Sequence, residues 1–220
     1  MINMIKLDWS AMKYYHIRGL LLPFYLMLMG WFSPICLIPL GAIFMFAYSV
    51  NPFAVEEQGE LNQLYLTLPI RRSTVVAGRY ALSLLLFLAG VLIGLILMPL
   101  ANLVSISKWY PDFTWFLALV CFSFLIHGTM SLAMYPMLFW LGYQKGKFWG
   151  FYLPGILFAL AFVVLVEYDY IFSQGRLFHN LLTFASEHTL MVCGGMSLLG
   201  LVLLGVSFLL SLRIYRGREF

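Results

Sequence analysis

The chain has 220 residues, of which 63% are hydrophobic and 10% charged, where a soluble domain carries about a quarter charged residues. A net charge of +4 rests on 13 Lys and Arg against 9 Asp and Glu, and these are herded into a few short stretches. This excludes a soluble globular domain, leaves too little chain for a separate aqueous one, and gives no reason to expect a nucleic-acid partner.

No Lys, Arg, Asp or Glu occurs from Gly19 to Val55, Tyr80 to Ser107, Phe113 to Gln144, Phe148 to Val166, or His188 to Leu212. A helix crosses the roughly 30 Å of bilayer hydrocarbon in about 20 apolar residues, so each gap is long enough or nearly so. The bilayer interior forces every backbone N–H and C=O to find an internal partner, and runs of this length are helices, not barrel strands. The expected fold is an all-α integral membrane protein, one transmembrane domain over residues 1–220. Because the basic N-terminus precedes a span with no small-residue cleavage site, no signal peptide is expected.

Taken in chain order, Ile5, Trp9, Met12 and His16 recur at helical spacing with Lys6 and Lys13 off that face. They predict an amphipathic interfacial helix within residues 1–18, or else an inward extension of the first span. The first gap would make a helix of about 55 Å, too long for one crossing and slightly short for two. Charge decides: two spans hinged near Gly30 to Pro34 put all Lys and Arg except Lys108 and Arg176 on one side, whereas one span splits them five against eight. The positive-inside rule therefore selects six spans with both termini cytoplasmic. They are Gly19 to Phe32, Ile35 to Phe53, Tyr80 to Ala101, Trp115 to Trp140, Trp149 to Val166 and Thr189 to Leu212.

Between the second and third spans, residues 53–79 form the only cytoplasmic segment long enough for a structured element. Leu61, Leu64, Tyr65 and Leu68 can share a helical face, Glu56, Glu57, Glu60 and Gln63 are more polar, and Pro69 ends the helix. Ser73 can cap the next one. In the third span Gly90 and Gly94 make a small-x-x-x-small step for close helix approach, within the subunit or across a dimer. The fourth is the most polar, with Ser123, His127, Gly128, Thr129, Ser131, Tyr135 and Pro136. Polar groups in hydrocarbon face other helices or a cavity, so His127 either lines a translocation path or makes an interhelical hydrogen bond. The outer loop, 167–188, mixes aromatics with few charges and is expected to hold a short interfacial helix. Cys36, Cys121 and Cys193 fall within spans without metal-ligand spacing and read as reduced apolar fillers.

An acidic helix after the second span, Phe53 to Tyr65 with Glu56, Glu57, Gly59 and Glu60, is followed by Leu68-Pro69-Ile70-x-Arg72 and Val75-Val76-x-x-Arg79-Tyr80 leading into the third. With the six-span pattern, these residues resemble the permease subunits of ABC-2-type ABC transporters. The likeness is to compact bacterial exporters, including those for phenol-soluble modulins or bacteriocins. The resemblance implies a coupling helix carrying Glu56, Glu57, Gly59, Glu60, Leu64 and Tyr65, seated on a cytoplasmic ABC ATPase, and a second contact over Gly142 to Gly150 with Lys145 and Lys147. A solvated loop against the headgroups is the plainer reading of the same acids. It further implies two ATPase copies, a second permease subunit (homodimer or heterodimer), lipid as solvent, and residence in the bacterial cytoplasmic membrane. A path along Ser123, His127, Thr129, Ser131 and Tyr135 would carry a hydrophobic or amphipathic peptide, lipid or drug outward.

No nucleotide cofactor is expected in this chain, ATP and Mg belonging to the partner, because Gly146-Lys147-Phe148 lacks the earlier Gly and the hydroxyl of a P-loop. Glu56-Glu57 misses the Arg of a Glu-Glu-x-x-x-Arg protease at Leu61, and Gly195-Met196-Ser197 misses the last Gly of a nucleophile elbow. A non-enzymatic subunit is expected. Two rivals are a secondary transporter or channel, which would work without nucleotide, and a non-transporting assembly or sensor subunit.

Overall fold

The computed structural model describes residues 2–12, 25, 26, 28, 34–58, 72–104, 112–156, 160, 163, 164 and 176–217. They are almost wholly helical. The elements are α1 (Ile2–Ala11), a 3₁₀ turn at Pro34–Cys36, α2 (Leu37–Tyr48), α3 (Asn51–Gln58), α4 (Arg72–Val104), α5 (Phe113–Leu141) and α6 (Tyr143–Lys147). A π-helical turn at Phe148–Tyr152 continues α6, and α7 (Arg176–Glu187) and α8 (Thr189–Gly217) complete the order. Among the described residues, four helical stretches are long and apolar enough to cross a bilayer: Pro34–Glu57, Arg72–Leu103, Phe113–Leu141 and Thr189–Gly217. They coincide with the second, third, fourth and sixth predicted spans, and overrun them by up to eight residues at the ends that carry most of the basic charge. The first predicted span lies mostly outside the described residues; of the fifth, residues 149–156, 160, 163 and 164 are described and helical, and α7 falls in the predicted outer loop.

The second span is not one rod. Pro52 has no N–H to give the carbonyl of Tyr48, so the helix breaks at Ser49 and Val50 and restarts as α3. Ser49 closes the break by donating from Oγ to the Phe46 carbonyl at 2.6 Å. The Asn51-Pro52 pair was the available signal for this corner.

Helix directions follow from paired contacts. Gly41 and Gly90 meet back to back, with a Cβ on Gly41 falling 2.5 Å from the Gly90 carbonyl oxygen. Gly94 lies against the backbone of Ile38, where a Cβ would sit 2.8 Å from its Cα. The antiparallel α2–α4 contact is thus a glycine-lined seam inside this chain, and it needs both partners bare. In contrast, α5 and α8 run parallel. Cys193 lies near Cys121, a Cβ on Gly128 would be 2.8 Å from the Gly200 carbonyl oxygen, and Ser207 Oγ donates to the Ser131 carbonyl at 2.7 Å. Cys121/Gly128 and Cys193/Gly200 share a spacing of seven, the repeat of a left-handed helix pair.

The N-terminal helix forms. Met4, Asp8 and Met12 are buried while Trp9 is 47% exposed, because the bare backbone of Gly78 on α4 admits Met4. Ile5 is half-buried and His16 lies outside the described residues.

Candidate functional site

The site is built where α3, α4, α5, α6 and α8 converge, at the end of the bundle that carries Arg72, Arg79, Lys145, Lys147, Arg213 and Arg216. After the corner at Ser49, α3 runs across this end and presents two successive carboxylates in different directions. Glu56 turns inward, 6% exposed, and pairs with Arg79 Nη2 of α4, itself 2% exposed. The guanidinium carbon lies 3.9 Å from the Phe53 ring centre and 5.7 Å from that of Phe139. Arg79 is thus held between one carboxylate and two aromatic faces, the arrangement that makes a buried cation tolerable.

Glu57 turns the other way. Its Oε2 accepts the backbone N–H of Tyr143 at 2.6 Å and that of Gln144 at 3.1 Å. These are the first amides of α6, which has no partner for them inside the helix. A carboxylate from α3 therefore caps a helix 86 residues further along the chain. The cap depends on Gly142, whose φ of +81 turns the chain sharply out of α5 in the left-handed region that favours glycine. Past that corner α6 folds back along α5: Cβ atoms at Gly146 and Gly150 would lie 2.9 Å from the Cα atoms of Leu138 and Met134. Removing the acceptor with Glu57→Ala is expected to cost about 0.5–2 kcal/mol, the range for a lost helix cap, and to speed hydrogen exchange of the Tyr143 and Gln144 amides, whereas Glu57→Gln leaves an acceptor and most of the protection.

Between these elements lies a half-open cavity of about 220 Å³, lined by Phe53, Glu56, Glu57, Arg79, Leu138, Phe139, Leu141, Gly142, Tyr143 and Tyr215. Of the residues expected to meet a partner, Glu56 and Glu57 are on its wall. Lys145 is exposed, and Lys147 is half-buried with Nζ 5.7 Å from the Tyr143 ring centre and 5.6 Å from that of Tyr152. Gly59, Glu60, Leu64 and Tyr65 lie outside the described residues.

The polar residues of α5 occupy the packed interior. Ser123, His127, Ser131 and Tyr135 are all buried, whereas Thr129 is exposed and donates to the Ile126 carbonyl at 2.8 Å. Ser123 donates back to Leu119 at 2.7 Å. His127 Nε2 meets Ser83 Oγ of α4 at 3.1 Å, between the rings of Phe46 and Phe87. Tyr135 OH meets Ser49 Oγ at 2.9 Å, and Tyr80 OH meets Ser207 and Ser211 of α8 at 2.5 and 2.9 Å. These bonds tie α2, α4, α5 and α8 together in a layer with no water to compete for them. Ser207 and Ser211, one turn apart on a single face, were the sequence signal for that contact; Arg79, eight residues into an otherwise apolar helix, was the signal for the ion pair. Interhelical hydrogen bonds in bilayers are individually small, so Tyr80→Phe is expected to cost about 1 kcal/mol or less in thermal unfolding.

Four apolar spans, a polar layer between them and a braced pair of segments at the basic end define a helical integral membrane protein. The family described as ABC-2 family transporter protein matches residues 3–216, and the chain belongs to it: it is an ABC-2-type permease. No curated protein and no solved structure matches the chain.

Proposed function

We propose that this chain is the membrane subunit of an ATP-driven exporter, moving a hydrophobic or amphipathic peptide, lipid or drug outward while a separate cytosolic ATPase supplies the energy. The observation that carries the reading is the family match over residues 3–216, and the brace at the basic end gives it a mechanism. Glu57 joins α3 to α6 and Glu56 joins α3 to α4, so a displacement of α3 is transmitted to the span α4 and to the short helix α6 at once. In this account the two acids hold the coupling segment to the rest of the bundle.

Six spans with both termini in the cytosol fit the helix directions. Since α5 and α8 are parallel and each is long enough to span, residues 142–188 have to carry the chain back across, which a fifth span would do. Likewise, α1 lies beside Gly78 while α2 begins beside Gly94, about 24 Å further along α4, a separation that a first span would bridge. Positive-inside placement puts the basic end in the cytosol. A bundle of six helices is too small to enclose a sizeable cargo, so a subunit interface is the natural pathway, in a dimer of two such subunits with two ATPases that bind ATP and Mg. His127, buried and bonded to Ser83 across α4 and α5, is proposed to lie on the translocation path with Ser123, Ser131 and Tyr135.

Reconstitution in liposomes with the purified ATPase tests the reading: nucleotide-dependent cargo movement is expected, and cargo movement without nucleotide would replace it with a secondary transporter. His127→Ala is expected to lower both transport and cargo-stimulated ATP hydrolysis. Unchanged values for both would remove His127 from the mechanism.

A further inference from the structure

Resting on the permease reading, we propose that the cavity at the basic end is a socket for one arginine or lysine side chain of the cytosolic ATPase. Volume sets the class of occupant. At about 220 Å³ the cavity is smaller than the roughly 300–1,000 Å³ of small-molecule sites, yet it has room for one long side chain. Charge sets the sign. The wall holds two carboxylates, Glu56 and Glu57, against one guanidinium, Arg79. Because Glu56 is already engaged by Arg79, the uncompensated charge belongs to Glu57, which is exposed.

The remaining wall suits a cation as well. Aromatic faces attract cationic groups, and Arg79 shows this wall already accepting a guanidinium, 3.9 Å from Phe53. The Phe139, Tyr143 and Tyr215 side chains offer further aromatic surface on the same cavity. Around it the surface is basic, with Lys145 and Arg216 exposed. A basic side chain is therefore disfavoured along the rim and favoured only within the socket, which fixes the register of docking rather than adding general attraction. A guanidinium or ammonium seated there would bear on α3 and α6 through Glu57, the residue that joins them.

Two substitutions separate charge from shape. Glu57→Gln removes the charge while its amide oxygen still accepts from Tyr143 and Gln144, and Leu141→Trp fills the cavity while leaving every charge in place. With permease and ATPase purified and recombined in detergent, each variant is expected to retain about tenfold less ATPase than the wild-type chain at equal monodispersity and thermal stability. Replacing the ATPase's arginines and lysines by alanine in turn should find one whose effect is non-additive with Glu57→Gln. Wild-type retention by either variant, or purely additive effects for every basic residue, overturns the socket and leaves the permease reading intact. A wild-type chain that binds no ATPase overturns both.

Discussion

Arg79→Met is expected to be the most damaging single substitution in the described core, lowering thermal stability in detergent by about 3–5 kcal/mol. The cost does not arise from losing an attraction of that size. With Arg79 gone, the Glu56 carboxylate remains 6% exposed among Phe53, Leu138 and Phe139, an ion stripped of water with its counter-charge removed. For that reason the double variant Glu56→Leu/Arg79→Met is expected to recover most of the loss, since apolar groups of similar volume replace a buried pair at little net cost. The comparison of single and double variants is the informative measurement. If Arg79→Met unfolds within about 1 kcal/mol of the wild type, the pair is hydrated and Arg79 is not a structural tie.

The second large effect is expected at the glycine seam. A Cβ at Gly41 would lie 2.5 Å from the Gly90 carbonyl oxygen, and one at Gly90 would lie closer still to the Gly41 carbonyl oxygen. Both obstacles are backbone, so no rotamer change relieves them and the helices themselves must separate. Gly90→Val is therefore expected to fall at the upper end of the overpacking range, about 3 kcal/mol, and to shift the thermal transition accordingly. Gly205→Val on α8 is the control, because nothing lies within 4 Å of the added carbon there; it is expected to be close to neutral. Equal effects at the two positions would mean that helix propensity, not the α2–α4 approach, sets the cost.

The spans were legible because the bilayer imposes a one-dimensional rule: the charge gaps beginning at Tyr80, Phe113 and His188 needed no partner to be recognised as crossings. What the sequence concealed depends on contacts far apart in the chain. Glu56 and Glu57 read as one acidic patch, yet their backbone directions on α3 send one to Arg79, 23 residues on, and the other to Tyr143, 86 residues on. The same limit applies to α1, where spacing put Ile5, Trp9 and Met12 on one apolar face without saying which residues meet the bundle. Gly78 on another helix decided for Met4, and Asp8 one turn later went inward with it. Gly90 and Gly94 were visible as a close-approach step, whereas Gly41 carries no such pattern in its own helix.

The parallel pair α5–α8 has a mechanical consequence. Cys193 lies near Cys121, the backbones meet at Gly128 and Gly200, Ser207 is bonded to Ser131, and the ring centres of Phe139 and Tyr215 are 5.3 Å apart. From Cys121 to Phe139 these contacts extend over about 27 Å, nearly the thickness of the hydrocarbon. Neither helix can tilt or twist without its companion, so the two behave as a single stiff oar: a small swing imposed beside Tyr215 reappears beside Cys193 with its amplitude intact.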